Sequence, residues 1–219
     1  MHENDNFFII NKPAGLVVHE GAGTQGTELL TDILCQQYPS LVNLKRAGLV
    51  HRLDKDTTGL MLIAKNEVYL EKLQELLRLR EIKREYQAFI SGYPRVKFTI
   101  DNFIERHPSH RQKKICRSLG SRRSITHVRL LSQYGAYAHI LCNLETGRTH
   151  QIRVQLSNAS LPIIGDSLYG GMQLPDVTRT MLHAYQITIP GYGMWTVPLP
   201  EDMKACLQFL KLTSIQEKL

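Results

Sequence analysis

Apolar residues in this chain fall mainly into short runs bounded by turn residues. The runs predict strands at residues 7–10, 16–18, 83–91, 98–104, 125–131, 139–144 and 185–189. In the 83–91 segment the alternation places Tyr86, Ala88 and Ile90 on one face of the strand. Most of the regular structure is therefore expected to be β.

Four segments carry a helical pattern instead. They are residues 29–38, a segment from the N-cap candidate Asn66 to about residue 80, residues 145–156, which begin with a glycine turn and then become helical, and the chain from Pro200. Strands and helices do not alternate regularly, which predicts an α+β fold with a mixed, largely antiparallel central sheet and flanking helices and loops. We expect one domain over residues 1–219. No run of about 18 apolar residues occurs, so no membrane span is expected.

The charge of the chain indicates more about its binding partners than the overall composition does. The net charge is +7 and the pI is about 9.3, which favours polyanionic partners. Residues 106–123, the basic block, contain seven Lys or Arg, two His and no acidic residue. Such a block is a solvated loop or a polyanion contact, and its density favours the contact.

The segment GLVHRLDKDTTG, residues 48–59, is the strongest candidate for chemistry. Apolar residues on both sides predict a strand, a loop and a strand, and Asp54 lies in the loop with Arg52 and Lys55 beside it. A carboxylate near a guanidinium stays ionised and can act as a nucleophile or a base. Arg148 and Arg153 could also approach it. A surface Asp–Arg pair without function is the alternative.

Other chemistries fit the sequence less well. Gly21, Gly23 and Gly26 match G-x-G-x-x-G, but no regular β-α-β pattern follows, so a flexible loop is favoured over a nucleotide site. A P-loop, a kinase catalytic motif and an H-E-x-x-H motif are absent. The four cysteines form no C-x-x-C pair, which argues against zinc and for a reduced, cytoplasmic protein. We expect no metal.

Four stretches in order carry a resemblance to a known family. They are NKPAGLVVH at 11–19, the 48–65 segment, KREY at 83–86, and TGRTHQIR at 146–153 followed by PIIGDSLYG at 162–170. Together they resemble the RluA-type pseudouridine synthases, which convert uridine in RNA to pseudouridine. The resemblance implies the catalytic fold of that family and an isomerase without a cofactor.

The resemblance also implies roles for individual residues. Asp54 matches the catalytic aspartate, Tyr86 the tyrosine that stacks on the target base, and Arg153 the arginine that pairs with the aspartate. Arg52 matches an RNA contact at the point where the nucleotide leaves its stack, and Ile152 matches a residue that packs on the base. Such enzymes flip the base out of the helix to reach it.

The expected partner is structured RNA, ribosomal or transfer. The basic block contributes three expected contacts: Arg111, Lys113 and Lys114. A monomer is expected by family analogy, and the S4-type module of many relatives is expected to be absent, since the catalytic region begins almost at residue 1. Gln155 replaces a histidine that is usual in the family and lies outside the catalytic set. A non-catalytic RNA-binding protein on the same scaffold is the alternative function.

Overall fold

The structure, a computed structural model, describes residues 2–20 and 26–216. Over those residues the chain forms ten strands and four α-helices and divides into two compact units. The first unit comprises residues 1–82 and 186–197, and the second comprises residues 83–185 and 198–219. The predicted glycine loop falls largely on residues 21–25, outside the described residues.

The first unit is built on strands that follow the order β1-β2-β3-β9, with β10 paired to β9. Its elements are β1 (His2–Glu3), β2 (Phe7–Lys12), α1 (Leu30–Gln37), β3 (Thr58–Ala64), α2 (Glu67–Arg78), the second half of β9 (Leu182–Ile189) and β10 (Gly193–Thr196). The β1–β2, β2–β3 and β9–β10 pairs are antiparallel. Every residue of β3 is buried, as its continuous apolar run indicates.

Helix α2 packs on this sheet through residues predicted from its period. Leu70 and Leu73 are buried in a core that also contains Leu60 and Leu62 of β3. The side chain of Asn66 accepts the Tyr69 N–H at 3.0 Å, which confirms the predicted N-cap.

The second unit contains the remaining strands in the order β9-β4-β8-β7-β5-β6. Its elements are β4 (Lys83–Ser91), β5 (Lys97–Arg106), β6 (Lys114–Arg117), β7 (Arg123–Tyr134), β8 (Tyr137–Leu144), α3 (Gln151–Asn158), the first half of β9, and α4 (Glu201–Gln216). The β4–β8, β5–β6, β5–β7 and β7–β8 pairs are antiparallel. The predicted α+β class with a largely antiparallel sheet is confirmed.

Two strand predictions were wrong. Residues 16–18 make only a single β-bridge, from Val17 to Leu29, because their carbonyls bind the start of helix α1 instead. The Val17 and Val18 carbonyls accept the first N–H groups of α1, from Leu30 and Thr31, so this segment caps the helix. Residues 49 and 50 likewise form only a bridge to β3.

The basic block is not a loop throughout. Its residues 114–117 form β6, which pairs with the end of β5 so that Lys114 lies opposite Arg106. The block therefore forms a hairpin at the edge of the second unit's sheet. The sequence pattern did not indicate β6, because the segment is short and dominated by charge.

Candidate active site

Asp54 lies in a loop, residues 51–57, that leads into β3 of the first unit. The Asp54 carbonyl accepts the Thr57 N–H at 3.2 Å, which closes a turn. Leu53 and Thr57 are buried on either side of it, and Asp54 itself is half-buried. The loop is therefore anchored by its neighbours, while the candidate carboxylate is partly accessible to a substrate.

His51 holds the start of this loop against β3. Its Nε2 accepts the backbone N–H of Leu62 at 3.2 Å. A nitrogen that accepts carries no proton, so the ring is the Nδ1-H tautomer. His51 is thus a structural element of the loop.

Lys12 is a further element of the site that sequence reasoning missed. Its side chain is only 1% exposed, and its amino group donates to the carbonyls of Pro13, Leu16 and Lys55 at 2.7, 3.0 and 2.8 Å. An ammonium group has three donors, and these three bonds match that number. Lys12 therefore ties the 13–16 turn to the Asp54 loop. The lysine lies between Asn11 and Pro13 in the 11–19 motif, but the motif does not reveal the partners of its amino group.

Arg52 is exposed and lies next to a histidine of the first unit. Its Nη1 is 3.2 Å from Nε2 of His19. Burial and the positive charges of Arg52 and Arg46 lower the pKa of His19, so the neutral ring accepts a bond from the guanidinium. The contact gives Arg52 a defined position at the protein surface.

Tyr86 and Ile152 are both in the second unit. Tyr86 lies on β4 opposite Cys142 of β8 and is buried. Ile152 lies in the first turn of α3 and is also buried. Each side chain therefore has a fixed environment, on a strand and on a helix respectively.

Arg153 forms a buried ion pair within the second unit. Its Nε and Nη2 donate to Oδ2 and Oδ1 of Asp166 at 2.6 and 2.9 Å, and the two side chains are 12% and 1% exposed. The guanidinium carbon also lies 5.2 Å from the centre of the Tyr169 ring. The predicted pairing of Arg153 with Asp54 stays a prediction.

Tyr169 joins this ion pair to the basic block. Its N–H donates to Oδ1 of Asp166 at 3.2 Å. Its hydroxyl accepts the backbone N–H of Lys114 at 2.8 Å and lies 2.9 Å from Nδ1 of His150. One side chain thus links Arg153 to β6. The GDSLYG motif carried this signal, but it does not reveal the partners.

Two glutamines fix helix α3. Gln151 donates to the Ile125 carbonyl at 3.1 Å. Gln155 donates to the Ser124 carbonyl at 2.8 Å and to Oδ1 of Asn102 at 3.0 Å. Gln155 is fully buried, so the residue that departs from the family pattern connects α3 to the sheet.

The predicted contacts of the basic block differ in exposure. Arg111 is exposed, whereas Lys113 and Lys114 are half-buried. Arg123, at the end of the block, pairs with Asp101 at 2.6 Å. The remaining positive charge is concentrated around the turn between β5 and β6.

Within residues 2–20 and 26–216, no three His, Cys, Asp or Glu side chains are grouped as a metal site would need. None of the helices in that part of the chain is long and apolar enough to cross a membrane.

Comparison with known proteins gives consistent results. The sequence model of the family described as RNA pseudouridylate synthase matches residues 6–158. The chain is 38% identical to ribosomal large subunit pseudouridine synthase D of Salmonella typhimurium over 93% of this chain and 67% of that protein. It is also 38% identical to the Escherichia coli K12 protein of the same name, over 96% and 70%.

A solved structure is also similar. Human RNA pseudouridylate synthase domain containing 4 matches with a TM-score of 0.77 and 26% identity, covering 96% of this chain and 92% of that one.

Proposed function

The chain belongs to the RNA pseudouridylate synthase family and is an RNA pseudouridine synthase, an isomerase, and we propose that Asp54 is its catalytic residue. The observation that carries the assignment of Asp54 is its place in the chain's own structure. It is a half-buried carboxylate in a loop that His51 holds against β3 and that Lys12 of β2 holds through the Lys55 carbonyl. A reacting group needs such a rigid support with access to substrate.

The reaction breaks the bond between N1 of uracil and the sugar, turns the base, and joins its C5 to the same sugar carbon; C5 then loses its proton to water and N1 gains one. No electrons or phosphoryl groups are transferred, so a carboxylate suffices. Asp54 can add to the sugar, add to the base, or remove a proton from the sugar. Each route needs the carboxylate ionised and close to the flipped nucleotide.

The second unit supplies the proposed base-binding residues. Tyr86 offers an aromatic face for the flipped uracil, with stacking worth about 1–3 kcal/mol, and Ile152 packs on the base. Arg153 is proposed to pair with Asp54, as the family resemblance implies, while Asp166 holds its Nε and Nη2. This arrangement would keep the detached base in place while it turns.

Arg52 is proposed to contact the RNA where the target nucleotide leaves its stack. It is exposed, positively charged and two residues from Asp54, and His19 positions its guanidinium. Flipping costs a few kcal/mol of unstacking, which contacts of this kind offset.

The proposed substrate is ribosomal RNA of the large subunit, as the names of the Salmonella and Escherichia relatives indicate for those proteins. The enzyme is proposed to act as a monomer in the cytoplasm, where such RNA is made in bacteria.

Tritium release tests this proposal. Ribosomal RNA labelled with tritium at C5 of uracil should lose tritium to water when the wild-type protein acts on it. Asp54→Asn should lower the rate by about 10²–10⁴-fold while RNA binding is retained. Asp56→Asn, an exposed neighbour in the same loop, is the matched control and should keep most of the activity. Equal rates for Asp54→Asn and the wild type would exclude the catalytic role.

The basic block is proposed to bind the RNA backbone. Changing Arg111, Lys113 and Lys114 together to Gln should weaken RNA binding and reduce the slope of log K against log salt concentration by about 2–3, since each phosphate contact contributes about 0.7–0.9.

The matched control is a triple Gln variant at exposed cations of α2 and α4, namely Arg78, Lys204 and Lys211. It removes the same charge from other surfaces and should leave the slope nearly unchanged. Equal slopes for the two triple variants would show that the block makes no direct phosphate contacts.

A further inference from the structure

Arg84 is a buried cation that no side chain neutralises. It lies on β4 with 8% of its surface exposed. Among the described residues its guanidinium has no hydrogen-bond or ion-pair partner, and its Nε is fully enclosed without one. A buried charge without a counter-ion destabilises a protein, and arginine remains protonated inside one. A role in binding an anion would explain why the site has an arginine.

A fixed loop shapes the space around this guanidinium. A Cβ at Gly147 would lie 2.7 Å from Nη1 of Arg84, so the guanidinium packs directly against the Gly147 backbone and would have to shift if a side chain were added there. Oε1 of Gln151 accepts the Arg148 N–H at 3.0 Å and the Thr146 hydroxyl at 2.8 Å. The loop backbone is therefore held in place over Arg84.

The loop that lies against the guanidinium is itself exposed, and Nε is the guanidinium nitrogen that is fully enclosed without a partner. Residues 147–149 are exposed, and Arg148 adds a second positive charge next to Gly147. Arg84 thus lies just beneath an exposed, positively charged loop. This is a suitable setting for an anionic ligand of moderate size.

The position of Arg84 on β4 relates it to the proposed base platform. Arg84 and Tyr86 are two residues apart on one strand, so their side chains leave the same face about 6–7 Å apart. The base and the phosphate of one nucleotide are separated by a similar distance. A guanidinium binds phosphate oxygens with two parallel hydrogen bonds.

We propose that Arg84 binds a backbone phosphate of the nucleotide whose base stacks on Tyr86, at the edge of the exposed loop that contains Gly147. The inference rests on the proposed function, because it places the target uridine on Tyr86. The ligand is a phosphodiester oxygen, and bound RNA supplies the counter-ion that the free protein lacks. The arginine is therefore expected to strengthen RNA binding while it weakens the free fold.

The test combines stability with RNA binding for Arg84→Met. The free variant should melt at a higher temperature than the wild type, because the unpaired charge is gone. Its affinity for unlabelled ribosomal RNA should fall about 10-fold or more, as loss of a charge-assisted contact implies, and the salt slope should fall by about 0.7–0.9. Arg95→Met, at an exposed arginine of the same unit, is the control and should leave the melting temperature unchanged.

Two results would overturn the proposal. A lower melting temperature with wild-type affinity and salt slope would make Arg84 a structural residue. A fall in kcat with unchanged affinity and slope would place its action at the uracil ring.

A second variant keeps the test open to refutation if Arg84→Met does not fold. Arg84→Lys keeps the charge without the two-pronged geometry. It should fold, keep the salt slope and bind RNA several-fold more weakly, and wild-type affinity would contradict the proposal. Absence of tritium release by the wild-type protein would instead count against the proposed function, whatever these variants do.

Discussion

The Arg153–Asp166 pair allows a sharp prediction about stability. Asp166 is almost fully buried and accepts three hydrogen bonds, two from Arg153 and one from the Tyr169 N–H. Asp166→Ala removes all three and leaves a guanidinium that is only 12% exposed without this counter-ion. Removal of one partner from a buried ion pair costs about 3–5 kcal/mol. We expect a loss of that size in the free energy of unfolding.

The second unit also offers an exposed pair for comparison. Arg123 and Asp101 form a similar two-bond contact at 2.9 and 2.6 Å, but their side chains are 60% and 39% exposed. Water screens such a pair, so Asp101→Ala should cost less than about 1 kcal/mol. The two ion pairs differ mainly in how deeply they are buried. The difference between the two losses in unfolding free energy therefore measures the effect of burial.

Urea unfolding of the single and double variants measures both effects. Replacing both buried partners by apolar residues, as in Arg153→Met with Asp166→Leu, should cost less than Asp166→Ala alone, because no charge is left unpaired. Additive losses in the double variant, or a loss below about 1 kcal/mol for Asp166→Ala, would refute the reasoning. In that case the pair would be screened like the surface pair.

Two further predictions concern backbone strain and pH. Gly48 has a φ of +74°, and a Cβ there would lie 2.1 Å from the Ala64 carbonyl oxygen. Gly48→Ala should therefore lower both the melting temperature, measured by thermal unfolding, and the rate of tritium release. Gly15 has a similar φ but open space around it, so Gly15→Ala should lower the melting temperature less. Burial lowers the pKa of His139 to about 4, below the value of about 6.5 in an unfolded chain, so its contribution to stability is fully present above pH 6.5 and is lost as the pH falls toward 4. His139→Gln should flatten the dependence of unfolding free energy on pH between those limits, and an unchanged profile would contradict this.

Local signals explain which parts of the fold the sequence predicted. The prediction for residues 83–91 has the bounds of β4, since Tyr86, Ala88 and Ile90 alternate with their neighbours and the segment begins and ends with polar residues. The Asn66 cap and the leucine spacing likewise placed α2, which ends two residues before the predicted limit. Both signals depend only on residues within the element. These predictions are correct because the tertiary packing favours the same strand and helix.

Long-range partners explain what the sequence did not predict. Residues 16–18 read as a strand, yet their carbonyls cap α1, about a dozen residues later. Lys12 reaches the carbonyl of Lys55, 43 residues away, and no periodicity in the sequence reports such a contact. Asp166 as a partner of Arg153 was missed for the same reason. Lys12 and Asp166 both lie in motifs of the family resemblance, but their partners follow only from the fold.

The role of Arg84 depends on both its sequence position and its surroundings in the fold. In the sequence it is one of two adjacent basic residues at the start of a strand, where a solvated charge is the ordinary interpretation. The fold instead encloses it beneath Gly147 and provides no counter-ion among the described residues. Neither observation alone indicates a ligand. Together they imply that bound RNA neutralises this charge. Arg84 therefore strengthens RNA binding while it lowers the stability of the free protein.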